Sequence, residues 1–192
     1  MKKIMVLIIY FYGYAAGFTN PYETFLMFMQ KSGSMKMSIE FSQIQYDKYF
    51  NTIGDFYLIR DQYYFFDDST QRLIFKDNEI STISKINQQV IIDNIIPGDV
   101  NIFNILSGKN EVIRTQKATL ENDNYKIPFS IPSWELSGFI RIFSTTGRPV
   151  DIKLLSGKDK EMMIKINSVE SWDKNTLPKI DLTNYEKIDL RE

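Results

Sequence analysis

The sequence predicts a mainly β domain of the α+β class: one antiparallel sheet of sequential hairpins, an N-terminal helix and a short second helix. Three observations carry this. From Ser38 to Ile92, strand-like runs follow one another across short polar turns, the signature of successive hairpins. Alternation with period two returns from Leu136 to Ile166. A long helical period appears in one place only, between Asn20 and Gly33.

The elements follow in order. Asn20-Pro21-Tyr22-Glu23 is a helix start, with Asn20 as N-cap, Pro21 at the first helical position and Glu23 placed for a capping box. Tyr22, Phe25, Leu26 and Met29 fall at i, i+3, i+4 and i+7, one apolar stripe that Met27 and Phe28 widen and Gly33 ends. Met37, Ile39, Phe41 and Gln43 then share one strand face, and Ser38, Glu40, Ser42 and Ile44 the other. Asp47 to Thr52 reads as a polar turn or strand end.

The most apolar strand is Gly54 to Arg60, with Phe56, Leu58 and Arg60 on one face and Tyr57 and Ile59 on the other. In the next, Tyr64 and Phe66 oppose Tyr63 and Phe65. Both faces are apolar, so this part of the sheet is expected to be covered on both sides. Asp67-Asp68-Ser69-Thr70 reads as a solvated turn, and Asp77-Asn78 as a two-residue hairpin turn.

Pro97-Gly98 breaks the pattern, and Asp99 is placed to cap a short helix over Val100 to Leu106, closed by Ser107-Gly108. Glu111 to Thr119 and Tyr125 to Phe129 are weaker strands, where Pro128 and Pro132 argue for an edge or loop. Leu136 to Phe143 is a strand. Val150, Ile152 and Leu154, then Met162, Ile164 and Ile166, alternate with polar residues that include Asp151, giving one wet and one dry face. Lys158-Asp159-Lys160 is a hairpin tip. Ser171 to Glu192 stays unassigned.

Composition narrows the chemistry. There is no Cys and no His, which removes thiolate catalysis, a Ser-His pair and the common zinc and copper ligands. Lys plus Arg number 23 against 24 Asp plus Glu, so no basic excess exists to hold nucleic acid. Aromatic residues make up 14%, compatible with a large β core or an apolar cavity. Lys2-Lys3, the apolar stretch Ile4 to Tyr14 and the small residues Ala15-Ala16-Gly17 read as a signal peptide over residues 1–17. An uncleaved anchor or a buried N-terminal segment is the alternative. Residues 18–192 then form a single exported domain.

Phe41, Gln43, Gly54, Phe56, Leu58, Arg60, Tyr64, Phe66, Asp77 and Gln89 stand in an order and spacing that resembles the LolA family, periplasmic carriers of outer-membrane lipoproteins. The likeness runs from about Met37 to Ser168. It departs at Asp61, where the family has Pro, at Asn78, where it has Gly, and in the tail. The resemblance implies an unclosed antiparallel β-barrel, a half-barrel, lidded by the N-terminal helix and the short inserted one. LolB has a similar fold but is itself a lipoprotein, which this Cys-free chain does not match.

The resemblance further implies a non-enzymatic periplasmic chaperone, a monomer without cofactor or metal, that binds the acyl chains of lipoproteins. The donor would be an inner-membrane LolCDE-type ABC transporter and the recipient an outer-membrane acceptor, LolB-like or of another kind. On this reading Phe56, Leu58, Tyr64, Phe66, Ile140, Met162, Ile164 and Ile166 contact lipid. Tyr22, Phe25, Leu26, Met29, Ile102 and Leu106 form the lid. Arg60, a guanidinium on an apolar face, would latch the empty lid through its carbonyls, unless the strand ends there and Arg60 simply reaches solvent. Two other readings remain open: an exported sensor or adaptor gripping a protein partner or another lipid, and a hydrolase acting through carboxylates.

Overall fold

The computed structural model describes residues 20–31, 33–46, 48–59, 62–96, 101–108, 112–157, 160–176 and 178–191. The signal-peptide reading, Arg60, Asp99 and the hairpin tip at Lys158-Asp159 lie outside them.

Helix α1 (Pro21–Met29) is followed by six consecutive antiparallel strands: β1 (Ser34–Gln45), β2 (Lys48–Ile59), β3 (Tyr63–Asp68), β4 (Gln71–Lys76), β5 (Glu79–Ser84) and β6 (Gln89–Asn94). Helix α2 (Ile102–Ser107) interrupts the sheet. Then come β7 (Arg114–Thr115), β8 (Thr119–Glu121), β9 (Asn124–Ile131), β10 (Leu136–Phe143), β11 (Pro149–Ser156), β12 (Lys160–Trp172) and β13 (Glu186–Asp189). They form one sheet in the order β13-β6-β5-β4-β3-β2-β1-β12-β11-β10-β9-β7, with β8 also on β9. Its first and last strands do not pair, so the sheet stays an unclosed half-barrel with both helices on its inner face.

Local chemistry explains the boundaries. Asn20 caps α1 by accepting from the Tyr22 amide at 3.0 Å, as expected. The helix ends earlier than Gly33, at Met29, and Met27 points to solvent instead of widening the stripe. Asp77 and Asn78 both take positive φ, 51° and 66°, which a two-residue hairpin turn demands. Lys48 to Thr52 is strand: β1 and β2 pair in register from Gln45↔Lys48 to Met35↔Leu58. Asn101, not Asp99, caps α2 by accepting from the Asn104 amide, and Gly108 closes it at φ 72°. Pro128 sits in β9 opposite the gap between β7 and β8, where a missing N–H breaks no ladder.

Register lines the inner face with apolar residues. Ile127, Ile140, Ile152, Ile164 and Phe41 stand directly opposite one another across five strands. A second row joins Leu58, Tyr64 and Phe75, and a third Phe56, Phe66 and Leu73.

The outer face is also covered, as the doubly apolar strands require. Tyr57 stacks on Phe65 at 4.4 Å, and Trp172 packs edge-on against Tyr57 at 4.8 Å. Asp67 and Asp68 are not solvated turn residues but the end of β3. Asp68 is buried and accepts from the Thr70 amide, the Thr70 hydroxyl and the Gln71 amide, tying down the Ser69-Thr70 turn. Asp67 meets Arg72 and Lys85, each at 2.7 Å. Burial, the largest single influence, pushes the Asp67 carboxyl up, but the hydrogen bonds and charges of Arg72 and Lys85 together outweigh it and hold it below its ordinary value.

The tail, unassigned from sequence, crosses this face. Arg72 Nη1 donates to the Pro178 carbonyl at 2.7 Å, and β13 then pairs in parallel with β6. Arg191 binds Asp189 and Glu79 beyond it.

Asp151 also departs from expectation. A bulge at Val150 shifts the β10–β11 register, and Asp151, opposite Arg141, is 1% exposed. Arg141 Nε donates to both its carboxylate oxygens, at 2.9 and 3.0 Å, and Nη2 adds a third contact. The pair is therefore structural. Arg141→Met, which strands a buried carboxylate, is expected to destabilise the fold by about 2 kcal/mol in chemical denaturation; Arg141 is itself over a third exposed, so the loss falls below that of a fully buried pair. Adding Asp151→Leu is expected to restore most of that stability.

Candidate functional site

The inner face is one continuous apolar cluster, and the residues expected to contact lipid fall within it. Phe56, Leu58, Tyr64, Phe66, Ile140 and Ile164 are buried, while Met162 and Ile166 are half-buried against them. The lid residues meet the same cluster. Phe25, Met29, Ile102 and Leu106 are buried, and Tyr22 and Leu26 are half-buried. The structure thus brings both groups together, with the helices seated on the sheet.

Phe103, which the sequence reading passed over, is the centre of this closure. Its ring stacks on Phe56 at 6.0 Å with an interplanar angle of 7°, on Phe66 at 5.2 Å and on Phe41 at 5.9 Å, and lies 6.2 Å from Phe75. One residue of α2 therefore touches aromatics of four successive strands. The expected stripe of Ile102, Ile105 and Leu106 assumed one solvent-facing side. Ile102, Phe103, Ile105, Leu106 and Ser107 are all buried. The signal was present: four of the first five residues of α2 are apolar, the mark of a helix enclosed nearly all round.

The two helices also brace each other. Gly108, in the left-handed conformation after α2, lies against α1: a β-carbon there would come within 3.2 Å of Met29 Cβ. At the other end of α1, Gly147 at φ 72° lets the β10–β11 turn press against the Thr24 carbonyl, where a β-carbon would sit only 2.3 Å away.

Polar fastening of the lid is sparse. Among the described residues, one hydrogen bond joins α2 to the sheet, donated by the Tyr64 hydroxyl to Asn104 Oδ1. None joins α1 to it. Burial pushes the Tyr64 phenol well above its ordinary value, so the hydroxyl keeps its proton and remains a donor. The latch expected at Arg60 lies outside the described residues. Of the adjacent carboxylates, Asp67 is held by two cations and Asp68 by its turn. Among the described residues, no group of three acidic side chains is placed to hold a metal ion.

No protein-family model matches the sequence, and no curated protein matches it. Solved structures do match its fold. An uncharacterized conserved protein from Thermus thermophilus aligns with a TM-score of 0.58 at 10% identity, covering 87% of this chain and 98% of that one. A LolA superfamily protein from Nitrosomonas europaea aligns at 0.46 and 9% identity, covering 82% and 93%. MucB in the MucA/MucB complex of Pseudomonas aeruginosa aligns at 0.45 and 7% identity, covering 83% of this chain and 60% of that one. At such identities the likeness is one of fold alone, and the 0.58 alignment is the one that carries it.

Proposed function

We propose that this chain is an exported, non-enzymatic carrier that shelters the acyl chains of lipoproteins beneath its helical lid as they cross the periplasm. The single observation that carries the reading is the lidded inner face. It is a wide apolar surface, covered by two helices that hold it through side-chain contact and, among the described residues, one hydrogen bond.

The energies suit reversible exchange. Lifting α2 would expose four large apolar side chains, Ile102, Phe103, Ile105 and Leu106, at about 2 kcal/mol each, or roughly 8 kcal/mol. One long acyl chain gains on the order of 10 kcal/mol when buried, at ~0.8 kcal/mol per methylene. The two terms nearly cancel. A lid of this kind yields to a greasy ligand and recloses once the ligand has gone. Residues with no directional bonding, including Met162, Ile164 and Ile166, accept a disordered chain in many positions. On this reading an inner-membrane ABC transporter loads the carrier and an outer-membrane acceptor unloads it.

The test is binding of a purified lipoprotein with and without its acyl chains. Binding that disappears on deacylation supports the carrier. Equal binding of both forms would point instead to an adaptor that grips protein. Two variants probe the lid. Tyr64→Phe removes the hydroxyl's bond to Asn104 of α2 while keeping the ring; at about 1 kcal/mol for the bond, it is expected to raise acyl-chain affinity by up to about fivefold and to lower the stability of the empty protein by a similar ~1 kcal/mol. Phe103→Ala removes the ring that competes with ligand for the same aromatics. It is expected to lower the stability of the empty protein by about 3 kcal/mol in thermal or chemical unfolding, and saturating lipid is expected to recover much of that loss.

A further inference from the structure

We infer that the cleft at the C-terminal end of α1 binds the anionic head of a single-chain amphiphile, with its acyl chain entering the lidded face from there. The inference rests on the acyl-chain-binding part of the carrier reading and adds a second ligand class for the same face, single-chain acyl lipids with a negative head.

The cleft has a volume of about 270 Å³. Phe28 from α1, Met35 from β1 and Val169 from β12 supply its apolar lining, and Lys31 and Arg148 its cations. Phe28, Met35 and Val169 belong to or pack against the inner-face cluster, so the floor of the cleft is the margin of the surface the lid covers. The volume holds a head group and the first carbons of a chain. A longer chain must continue beneath α1.

The two cations at the cleft have no carboxylate partner among the described residues. Among the described residues, Arg72, Arg141 and Arg191 each meet a carboxylate. Neither Arg148 nor Lys31 does. The Arg148 guanidinium instead lies over the Phe143 ring at 4.4 Å, which orients it and leaves its donors unspent. Glu170 also lines the cleft; Lys36 reaches its carboxylate at 3.4 Å but lies nearer Asp55, at 3.1 Å, so the cleft holds two cations against one partly offset carboxylate. Two cations thus flank a short apolar cleft that borders the core cluster. A carboxylate or phosphate head bonds to the cations while its hydrocarbon enters the cleft. A fatty acid and a lysophospholipid share that chemistry.

Parinaric acid and its methyl ester, titrated by fluorescence at neutral pH, test the inference. The wild-type protein is expected to bind the acid at least about tenfold more tightly than the ester, with a preference that shrinks as salt is added. In the Lys31→Gln/Arg148→Gln variant the two affinities are expected to converge within about twofold, with the ester unchanged. Arg148→Lys, which keeps the charge, is expected to retain part of the preference, and it serves as the test should the double variant fail to fold. Competition by lysophosphatidic acid as well as by oleate would mark a head site that takes membrane-derived lipid; competition by oleate alone would mark a carboxylate site. Equal wild-type binding of acid and ester, or an unchanged preference in the double variant, would overturn the inference and leave the carrier reading standing. Failure of both probes to bind would overturn the inference, and the carrier reading would then be decided by the lipoprotein assay.

Discussion

An open sheet with an apolar inner face cannot face water, and that constraint organises the molecule. Closure into a full barrel would satisfy it, but the end strands here do not meet. The surface is covered instead by two short helices, and the contact that does most of this is the Phe103 ring against Phe41, Phe56, Phe66 and Phe75. Aromatic stacking and area burial hold α2 there. Neither depends on a fixed donor or acceptor, so any other apolar body of similar extent can take the place of the ring. A covering of this kind is exchangeable in a way that a paired strand is not.

Much of the architecture was legible because it rests on local rules. The Asn20 cap, the Asp77-Asn78 turn, the strand from Leu136 to Phe143 and the two faces of the Tyr57 strand all follow from side-chain chemistry and period, and the structure has each of them. What escaped the sequence depends on partners distant in the chain. Asp151 looked solvent-facing because alternation places it between Val150 and Ile152; the bulge at Val150 and Arg141 on another strand decide otherwise. Asp67 and Asp68 looked like turn residues, and the cations that claim Asp67 lie beyond the turn, at positions 72 and 85. The tail had no apolar period because β13 is an exposed edge strand whose one neighbour, β6, supplies its ladder.

The candidate site was legible in the same uneven way. Alternation separated the two faces of β2, β3 and β12; that Phe56, Leu58, Tyr64, Phe66, Met162, Ile164 and Ile166 turn inward, with Ile140 of β10, came only with the family resemblance. Phe103 came from neither, because a six-residue helix is too short for a stripe to be told from all-round burial.

The two faces of the sheet are fastened by different means, and the difference indicates which one can open. The outer face is locked by directional bonds: Asp67 to Arg72 and Lys85, Arg72 to the Pro178 carbonyl, and β13 laddered onto β6. Separating these groups would require matched donors and acceptors from any replacement. The inner face carries helices that, among the described residues, share one hydrogen bond with the sheet, from Tyr64 to Asn104. A ligand made only of hydrocarbon can replace contacts of the second kind and none of the first. On the carrier reading, opening by such a ligand would therefore proceed through the helices, with the sheet and its tail as the frame.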